Sequence, residues 1–286
     1  MKGDDQGHKE QMDAEELSSP SGAIIYKAVL KEGADELDRP SSALFWSGLA
    51  AGLSMGASLI AEALLAHYLP KGSWTPLISK LGYSIGFLVV ILGRQQLFTE
   101  NTLTPILPLL QDKTMTRVSG VLRLWTIVLI SNLAGCLAVA WACSSTTVFE
   151  QPVQGEFSSI GQAALEGGFW VHVSKGIFAG WLIALMVWLL PFAESARIWV
   201  IIILSYLIGL GHFSHVVAGA VQTFYIAVTG QAGWGEVLAT YVAPTFIGNV
   251  IGGVALVAAI NHAQVVSGKP KEAGAFHSAD YSKATT

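Results

Sequence analysis

Charged residues are scarce in this chain. Only 13% of its 286 residues are Asp, Glu, Lys or Arg, about half the share that is usual in a soluble domain. Hydrophobic residues make up 52% of the chain, and its mean hydropathy is +0.53. Of the Asp residues, only Asp112 lies between the polar ends. This composition excludes a disordered chain, a nucleic-acid binder and most soluble enzymes, and it favours an integral membrane protein.

Cysteine is also scarce. Cys136 and Cys143 are seven residues apart in one apolar segment, so they share a helix face, and we interpret them as packing residues rather than as a redox pair. The sequence has no CxxC motif and no disulfide framework. It also has no nucleophile–base pair and no metal-ligand cluster at a readable spacing. We therefore expect no catalytic residue, no metal and no cofactor.

Six apolar segments occupy the middle of the chain. A bilayer core of roughly 30 Å needs about 20 helical residues, so each segment is long enough to cross it. We expect a transmembrane domain at 42–265 between disordered ends at 1–20 and 266–286, without a cleavable signal peptide. The segments are 42–69, 76–111, 118–145, 168–192, 195–228 and 236–265.

Residues 21–41 combine apolar and basic positions. Ile25 and Val29 lie among Lys27 and Lys31, a pattern that suits an amphipathic helix on the membrane surface. A polar linker is the alternative interpretation.

The second and fifth segments are too long for one span and too short for two. Each also contains a polar interruption, GRQQLFTEN at 93–101 and GLGHFSH at 209–215. Unpaired backbone at membrane depth is tolerated only beside protein or water. We therefore predict that both segments are broken helices that line a cavity.

The two halves of the chain resemble each other. Three short matches occur in the same order, at offsets of 128, 115 and 117 residues. Because each half has three segments, the second copy must be inverted in the membrane. The glycine matches also suggest close helix packing. The matches are Gly48 and Gly52 with Gly176 and Gly180, Phe98-Thr99-Glu100 with Phe213-Ser214-His215, and Asn132 with Asn249.

Lys and Arg are distributed unevenly. Of the 16, twelve fall at the ends and connections of one side, whereas the other side has Lys71 and Lys80. The connections 146–167 and 228–236 have none. The positive-inside rule then places both termini in the cytoplasm.

Two polar side chains mark the interruptions. His215 is costly at this depth unless it faces a cavity or a partner, and it can donate a hydrogen bond to an anion or exchange a proton. A core histidine satisfied by a carbonyl is the alternative. Thr99 can hold an anion with the amides freed at the break, or it can cap the following helix. We interpret His172 and His212 as structural.

Charged groups inside the segments have several interpretations. Lys175 can attract anions into a vestibule or extend to the membrane interface. Arg94 is expected to position its loop by pairing with Glu100 or with carbonyls. Glu62 is expected to pair with Lys80 or with Lys175.

With these features the chain resembles the formate/nitrite transporter family over about residues 20–265, and its GRQQLFTEN and HFSH motifs are closest to the YfdC-type branch. The resemblance implies an all-α integral membrane protein. Its six transmembrane helices would form an inverted 3+3 repeat with helices two and five broken, in an aquaporin-like architecture. It also implies a homopentamer with one pore in each protomer.

The resemblance also assigns roles to residues. The central pore histidine of the family falls on His215, its loop threonine on Thr99, and its Asn-x-x-Gly motifs on the structural residues Asn132 and Asn249. The remaining pore positions fall on Tyr83, Phe87, Leu97, Phe98, Gly180, Ile183, Phe213 and Ser214.

The chain departs from the family pattern in three places. The residues before Leu97 are Arg-Gln-Gln instead of a glycine, a small residue and an acid. Gly180 stands where the family has an asparagine, which would remove a polar group from the pore. Ser214 stands where a glutamate often precedes the central histidine.

We therefore expect a channel or transporter for a small monovalent anion of the formate or nitrite type, passive or proton-linked. It would lie in a bacterial-type inner membrane, with lipid and its own copies as partners and no nucleic acid. Two alternatives stay open. One is a proton-coupled active carrier, and the other is a non-conducting scaffold or regulatory subunit with a vestigial pore.

Overall fold

The computed structural model describes residues 22–267, and within that range every regular element is a helix. The ends predicted to be disordered lie outside the described residues, except that 266–267 finish the last helix. The helices are α1 (Gly22–Leu37), α2 (Ser41–Tyr68), α3 (Thr75–Leu92), α4 (Ile106–Gln111), α5 (Met115–Ser145), α6 (Gln151–Leu165), α7 (Phe169–Phe192), α8 (Arg197–Leu210), α9 (Ala218–Val228) and α10 (Trp234–Ser267).

Five of the described helices are long and apolar enough to cross a membrane: α2, α3, α5, α7 and α10. The sixth crossing is divided between α8 and α9, of 14 and 11 residues. The chain between α3 and α4 is also non-helical except for one 3₁₀ turn at Glu100–Thr102. Both segments that were predicted to be broken are therefore broken, and the six-crossing all-α membrane fold is confirmed.

The two breaks have the same backbone geometry. Gly93 and Gly211 end their helices with φ of −77° and −78°. Arg94 and His212 follow in the left-handed region, with φ of 49° and 50°. Left-handed backbone costs a non-glycine residue roughly 1–2 kcal/mol, so its recurrence indicates that the surrounding packing imposes one design on both halves.

Asn132 of α5 anchors the first break. Its Oδ1 accepts the N–H of Phe98 over 2.9 Å, and its Nδ2 donates to the carbonyls of Gly48 and Gln96, each over 2.8 Å. The side-chain amide and its three backbone partners are thereby hydrogen-bonded in a region where an unpaired polar group is costly.

Asn249 of α10 anchors the second break in the same way. Its Oδ1 accepts the N–H of Val216 over 2.9 Å, and its Nδ2 donates to the carbonyls of Gly176 and Ser214 over 2.8 and 2.9 Å. One asparagine in each half therefore ties the break to the first helix of that half.

These bonds correct one of the predicted matches. Phe98 is equivalent to Val216, an offset of 118 residues, and not to Phe213 at an offset of 115. The sequence match was wrong by three residues because it compared side-chain types, whereas the repeat is preserved in backbone hydrogen bonds.

Helix α6 lies in the connection 146–167, where no helix was predicted. Val153 and Phe157 are buried, and Gly161 lies close to Ile226 of α9. The signal was present, because these residues follow a helical spacing. Helix α6 therefore covers one side of the second broken helix.

Helix α1 forms where an interfacial helix was predicted. Its buried face, which includes Tyr26, Val29 and Leu37, packs on the protein. Arg123 of α5 fixes its end by donating to the carbonyl of Leu37 over 2.6 Å. One face of α1 thus belongs to the membrane domain instead of resting on lipid.

Candidate functional site

Two cavities approach the centre of the helix bundle from opposite ends. The first, which we call the α1-side cavity, has a volume of about 690 Å³ and is lined by α1, the first break and the end of α7. The second, the α6-side cavity, has a volume of about 40 Å³ and is lined by α3, α6, α7, the second break and α10. The residues between them determine what can pass.

The α6-side cavity is cationic. Lys80, Lys175 and His212 line it together with Tyr83 and Ser214. Lys175 is partly buried in the cavity wall, which agrees with the vestibule interpretation of this residue. The other lining residues include Phe213, Gln222 and Tyr241.

Glu62 pairs with Lys80. The lysine Nζ lies 2.5 Å from Glu62 Oε1, and the side chains are 13% and 3% exposed. Of the two partners predicted for Glu62, the structure selects Lys80, because α2 and α3 pack closely at this level.

Charges of both signs line the α1-side cavity. Arg39 and Glu36 pair at 3.3 Å. Loss of hydration raises the pKa of Glu32, although the positive charge of Arg94 lowers it in part. The charged lining consists of Lys31, Glu32, Asp35, Glu36, Arg39, Arg94, Glu100 and Arg197.

The predicted pairing of Arg94 with Glu100 is wrong. No ion pair within 4 Å joins them in the described part of the chain, and Glu100 Oε1 is buried without a hydrogen-bond partner among residues 22–267. Arg94 is exposed and faces the cavity. Arg94 is therefore a cation of the α1-side cavity, and its other predicted role, binding to loop carbonyls, stays a prediction.

Thr99 and His215 meet at the centre of the bundle. Thr99 Oγ1 lies 2.7 Å from His215 Nε2, and both residues are fully buried. His215 Nδ1 accepts the backbone N–H of Ala218 over 3.0 Å. An acceptor at Nδ1 leaves the proton on Nε2, so the imidazole is neutral and donates to the threonine.

The hydroxyl hydrogen of Thr99 therefore remains available. In the described chain, Thr99 Oγ1 has no partner other than the imidazole. The hydroxyl hydrogen of Thr99 is thus a polar hydrogen without an acceptor among the described residues, at the point where both breaks meet. The core-histidine alternative predicted a carbonyl partner, whereas the partners of the two ring nitrogens are the Thr99 hydroxyl and the Ala218 N–H.

One face of α3 connects the two cavities. Tyr83 lines the α6-side cavity and Ile91 the α1-side cavity. Phe87 lies one turn from each of them, fully buried, with its ring 5.1 Å from that of His215. Residues four apart share a helix face, so Phe87 lies between the two cavities at the level of the histidine.

One face of α7 makes the opposite wall. Lys175 lines the α6-side cavity and Val187 the α1-side cavity, and residues four apart connect them. Ala179 and Ile183 lie between, fully buried. Ile183 was predicted as a constriction, and Ala179 was missed because a small residue carries no signal.

Three predicted pore residues lie elsewhere or stay untested. Gly180 faces α10, and a Cβ there would lie 2.7 Å from Asn249 Cα, so it is a helix-packing position and not a pore position. Phe98 packs against Trp125 and Phe246, with ring centroids 5.8 and 5.3 Å away, and lines neither cavity. Leu97 is fully buried beside the centre.

Tyr241 was missed by sequence reasoning. It lies in a π-helical turn of α10, a local distortion that is common at functional sites. Its hydroxyl donates to the carbonyl of His215 over 3.4 Å, and its ring lies 5.0 Å from that of His172. His172 in turn contacts Ser214 Oγ over 3.1 Å. These residues support the second break, as expected for a structural His172.

A family model described as formate/nitrite transporter matches residues 23–263. The chain belongs to the formate/nitrite transporter family. As a member of this family it is a membrane channel or transporter for anions and not an enzyme. The asparagines that anchor the breaks match the Asn-x-x-Gly motifs expected for the family.

Similar proteins extend over most of the chain. Inner membrane protein YfdC of Escherichia coli (strain K12) is 39% identical over 261 residues, 91% of this chain and 84% of that protein. Formate channel BtFdhC of Bacillus thuringiensis is 26% identical over 242 residues, 82% of this chain and 91% of that protein. A solved pentameric formate channel with formate bound matches 79% of this chain and 98% of its own, with a TM-score of 0.65 and 20% identity.

Proposed function

We propose that each protomer conducts a small monovalent anion of the formate class between the two cavities. The Thr99–His215 pair supports this proposal most directly. It offers the hydroxyl donor of Thr99, fully buried and oriented by the Nε2–H of His215, at the point where both broken helices meet. Similarity to proteins named as formate channels favours the same substrate class.

Anion capture would take place in the α6-side cavity. Its volume of about 40 Å³ accommodates roughly two or three water-sized groups, which suits an anion of three heavy atoms. Lys175 supplies a positive charge there, and a cationic wall raises the local concentration of anions.

Passage would require the anion to lose water between Phe87 and Ile183. A bare charge in an apolar passage costs several kcal/mol or more unless protein groups replace its hydration. The hydroxyl of Thr99, which accepts the Nε2–H of His215 and keeps its own hydrogen for a ligand, is placed to do so, and charge-assisted hydrogen bonds are stronger than neutral ones. The anion would then reach the cations of the α1-side cavity, which include Arg94.

The geometry favours passive conduction over proton transfer from His215. A neutral imidazole that gave up its Nε2 proton would become an anion, and protonation of Nδ1 first requires that the Ala218 N–H bond be broken. Proton-linked flux therefore requires a rearrangement of the second break. The active carrier and the non-conducting scaffold are outcomes of the experiment below.

We also propose the surroundings of this pore. The excess of Lys and Arg on one side favours cytoplasmic termini, so that the α1-side cavity would open to the cytoplasm. Relatives named as an inner membrane protein and as a pentameric channel favour a homopentamer in a bacterial inner membrane.

The test is stopped-flow light scattering on proteoliposomes given formate, nitrite, acetate, lactate or hydrosulfide between about pH 5 and pH 8. We expect flux of the smallest anions, its loss in His215→Phe, and its partial retention in His215→Asn, whose amide can accept from Ala218 and donate to Thr99. Size-exclusion chromatography checks that each variant keeps its oligomer.

Other results would contradict the proposal. Full flux in His215→Phe would remove the central role of His215. Accumulation of anion against its gradient, driven by a pH difference, would identify an active carrier. No flux of any of these anions above empty liposomes would favour the scaffold.

A further inference from the structure

The buried pair formed by Glu62 and Lys80 stands directly behind the α6-side cavity. Lys80 lines the cavity, while Glu62 is 2% exposed and lies behind it in α2. Glu62 Oε1 receives the lysine, and Glu62 Oε2 has no hydrogen-bond partner among the described residues. The carboxylate is thus held in the protein interior by one cation, which is itself a cavity residue.

Fold stability does not account for this pair. The desolvation of two buried charges commonly costs more than their attraction returns, and apolar residues of similar volume often stabilise a protein better. The second oxygen of Glu62, without a partner, adds to that cost. A functional reason is therefore more consistent with a charged pair at this position.

The charges around the cavity identify that reason. Lys175 takes part in none of the ion pairs found in residues 22–267, and no Asp or Glu of the described chain lines the cavity. With Lys80 neutralised by Glu62, the cavity has one net positive charge when His212 is neutral. Without Glu62 it would have two.

We propose that Glu62 sets the charge of the α6-side cavity and thereby determines how tightly it holds a monovalent anion. A conducting site must bind its ion well enough to capture it and weakly enough to release it. One unpaired lysine meets both demands for a single negative charge, whereas two would retain the anion and would favour divalent ones. This inference rests on the proposed anion conduction and names a residue that adjusts it.

The experiment is a charge series at about pH 8, where an ordinary histidine is neutral. The apparent KM for formate is measured by flux, and its apparent Kd by thermal shift in detergent. Glu62→Gln should lower both constants about tenfold and slow release, because one net positive charge is added at close range. Lys80→Met should raise both constants, because the unpaired carboxylate of Glu62 then offsets the positive charge of Lys175.

The double variant Glu62→Gln/Lys80→Met separates charge from structure. It restores one net positive charge without restoring the ion pair, so both constants should return to within about twofold of the unmodified protein, well inside the roughly tenfold effect of one charge. If the pair were structural, the double variant would stay as defective as Lys80→Met. Constants unchanged in Glu62→Gln would also overturn the proposal.

A matched control is the exposed pair Lys71–Glu156, at 2.6 Å. Glu156→Gln removes the same kind of charge at a site that lines neither cavity, so its constants should not change. If the unmodified protein binds formate with the predicted charge order but conducts none, the proposed conduction fails while this inference stands. If the unmodified protein conducts formate but KM and Kd do not change across the charge series, this inference alone fails.

Discussion

Replacing Asn249 by alanine should detach the second break from the rest of the protein. The side chain is fully buried and makes three hydrogen bonds, to the N–H of Val216 and to the carbonyls of Gly176 and Ser214. An unsatisfied buried N–H costs about 1–3 kcal/mol, and each lost bond to a carbonyl about 0.5–1.5 kcal/mol. We therefore expect destabilisation by roughly 2–6 kcal/mol in total.

Anion flux should also fall, because Val216, which loses its hydrogen bond, is next to His215 in the chain. Thermal unfolding in detergent and anion flux in proteoliposomes should both decline in Asn249→Ala, and Asn132→Ala should behave alike, since it makes the same bonds in the other half. Gln162→Ala is the control. It removes one exposed amide bond to Gln231 and should change stability by no more than about 0.5 kcal/mol.

If Asn249→Ala had the same melting temperature and the same flux as Gln162→Ala, Asn249 would not anchor the second break. The breaks would then be held by the packing of their own side chains, and the hydrogen bonds of Asn132 and Asn249 would not be needed to position the site.

Substitutions at three further positions test individual parts of the path. Thr99→Val keeps the shape of the side chain but removes the hydroxyl, so flux should fall sharply while Thr99→Ser retains it; equal flux in both would exclude a role for the hydroxyl. Gly180→Ala places a Cβ against the backbone of Asn249 and should cost about 1–3 kcal/mol in thermal unfolding, whereas a pore-facing glycine would tolerate it. Phe87→Ala should cost about 3–5 kcal/mol and should admit larger anions such as lactate in the light-scattering assay; unchanged size selectivity would place the constriction elsewhere.

The sequence alone determined the crossings and where they are interrupted. Both features can be read from local composition. A bilayer core has a fixed thickness, which sets the apolar length, and unpaired backbone groups are unfavourable inside it. The same logic singled out His215 and Thr99, since polar groups at that depth require a partner. Resemblance of motifs then led from these residues to the family, which the family match confirmed.

How these elements meet depends on tertiary packing that the sequence pattern does not contain. The correct register of the repeat depends on which backbone groups Asn132 and Asn249 bind. The sequence matched the two asparagines but could not identify those backbone partners. Whether Gly180 faces a pore or a helix depends on the rotation of α7 against α10, and a glycine looks the same in either place. Tyr241 joined the site through a π-helical turn that no apolar pattern indicates. The choice of Lys80 as the partner of Glu62 likewise required the distance between helices that are separate in sequence.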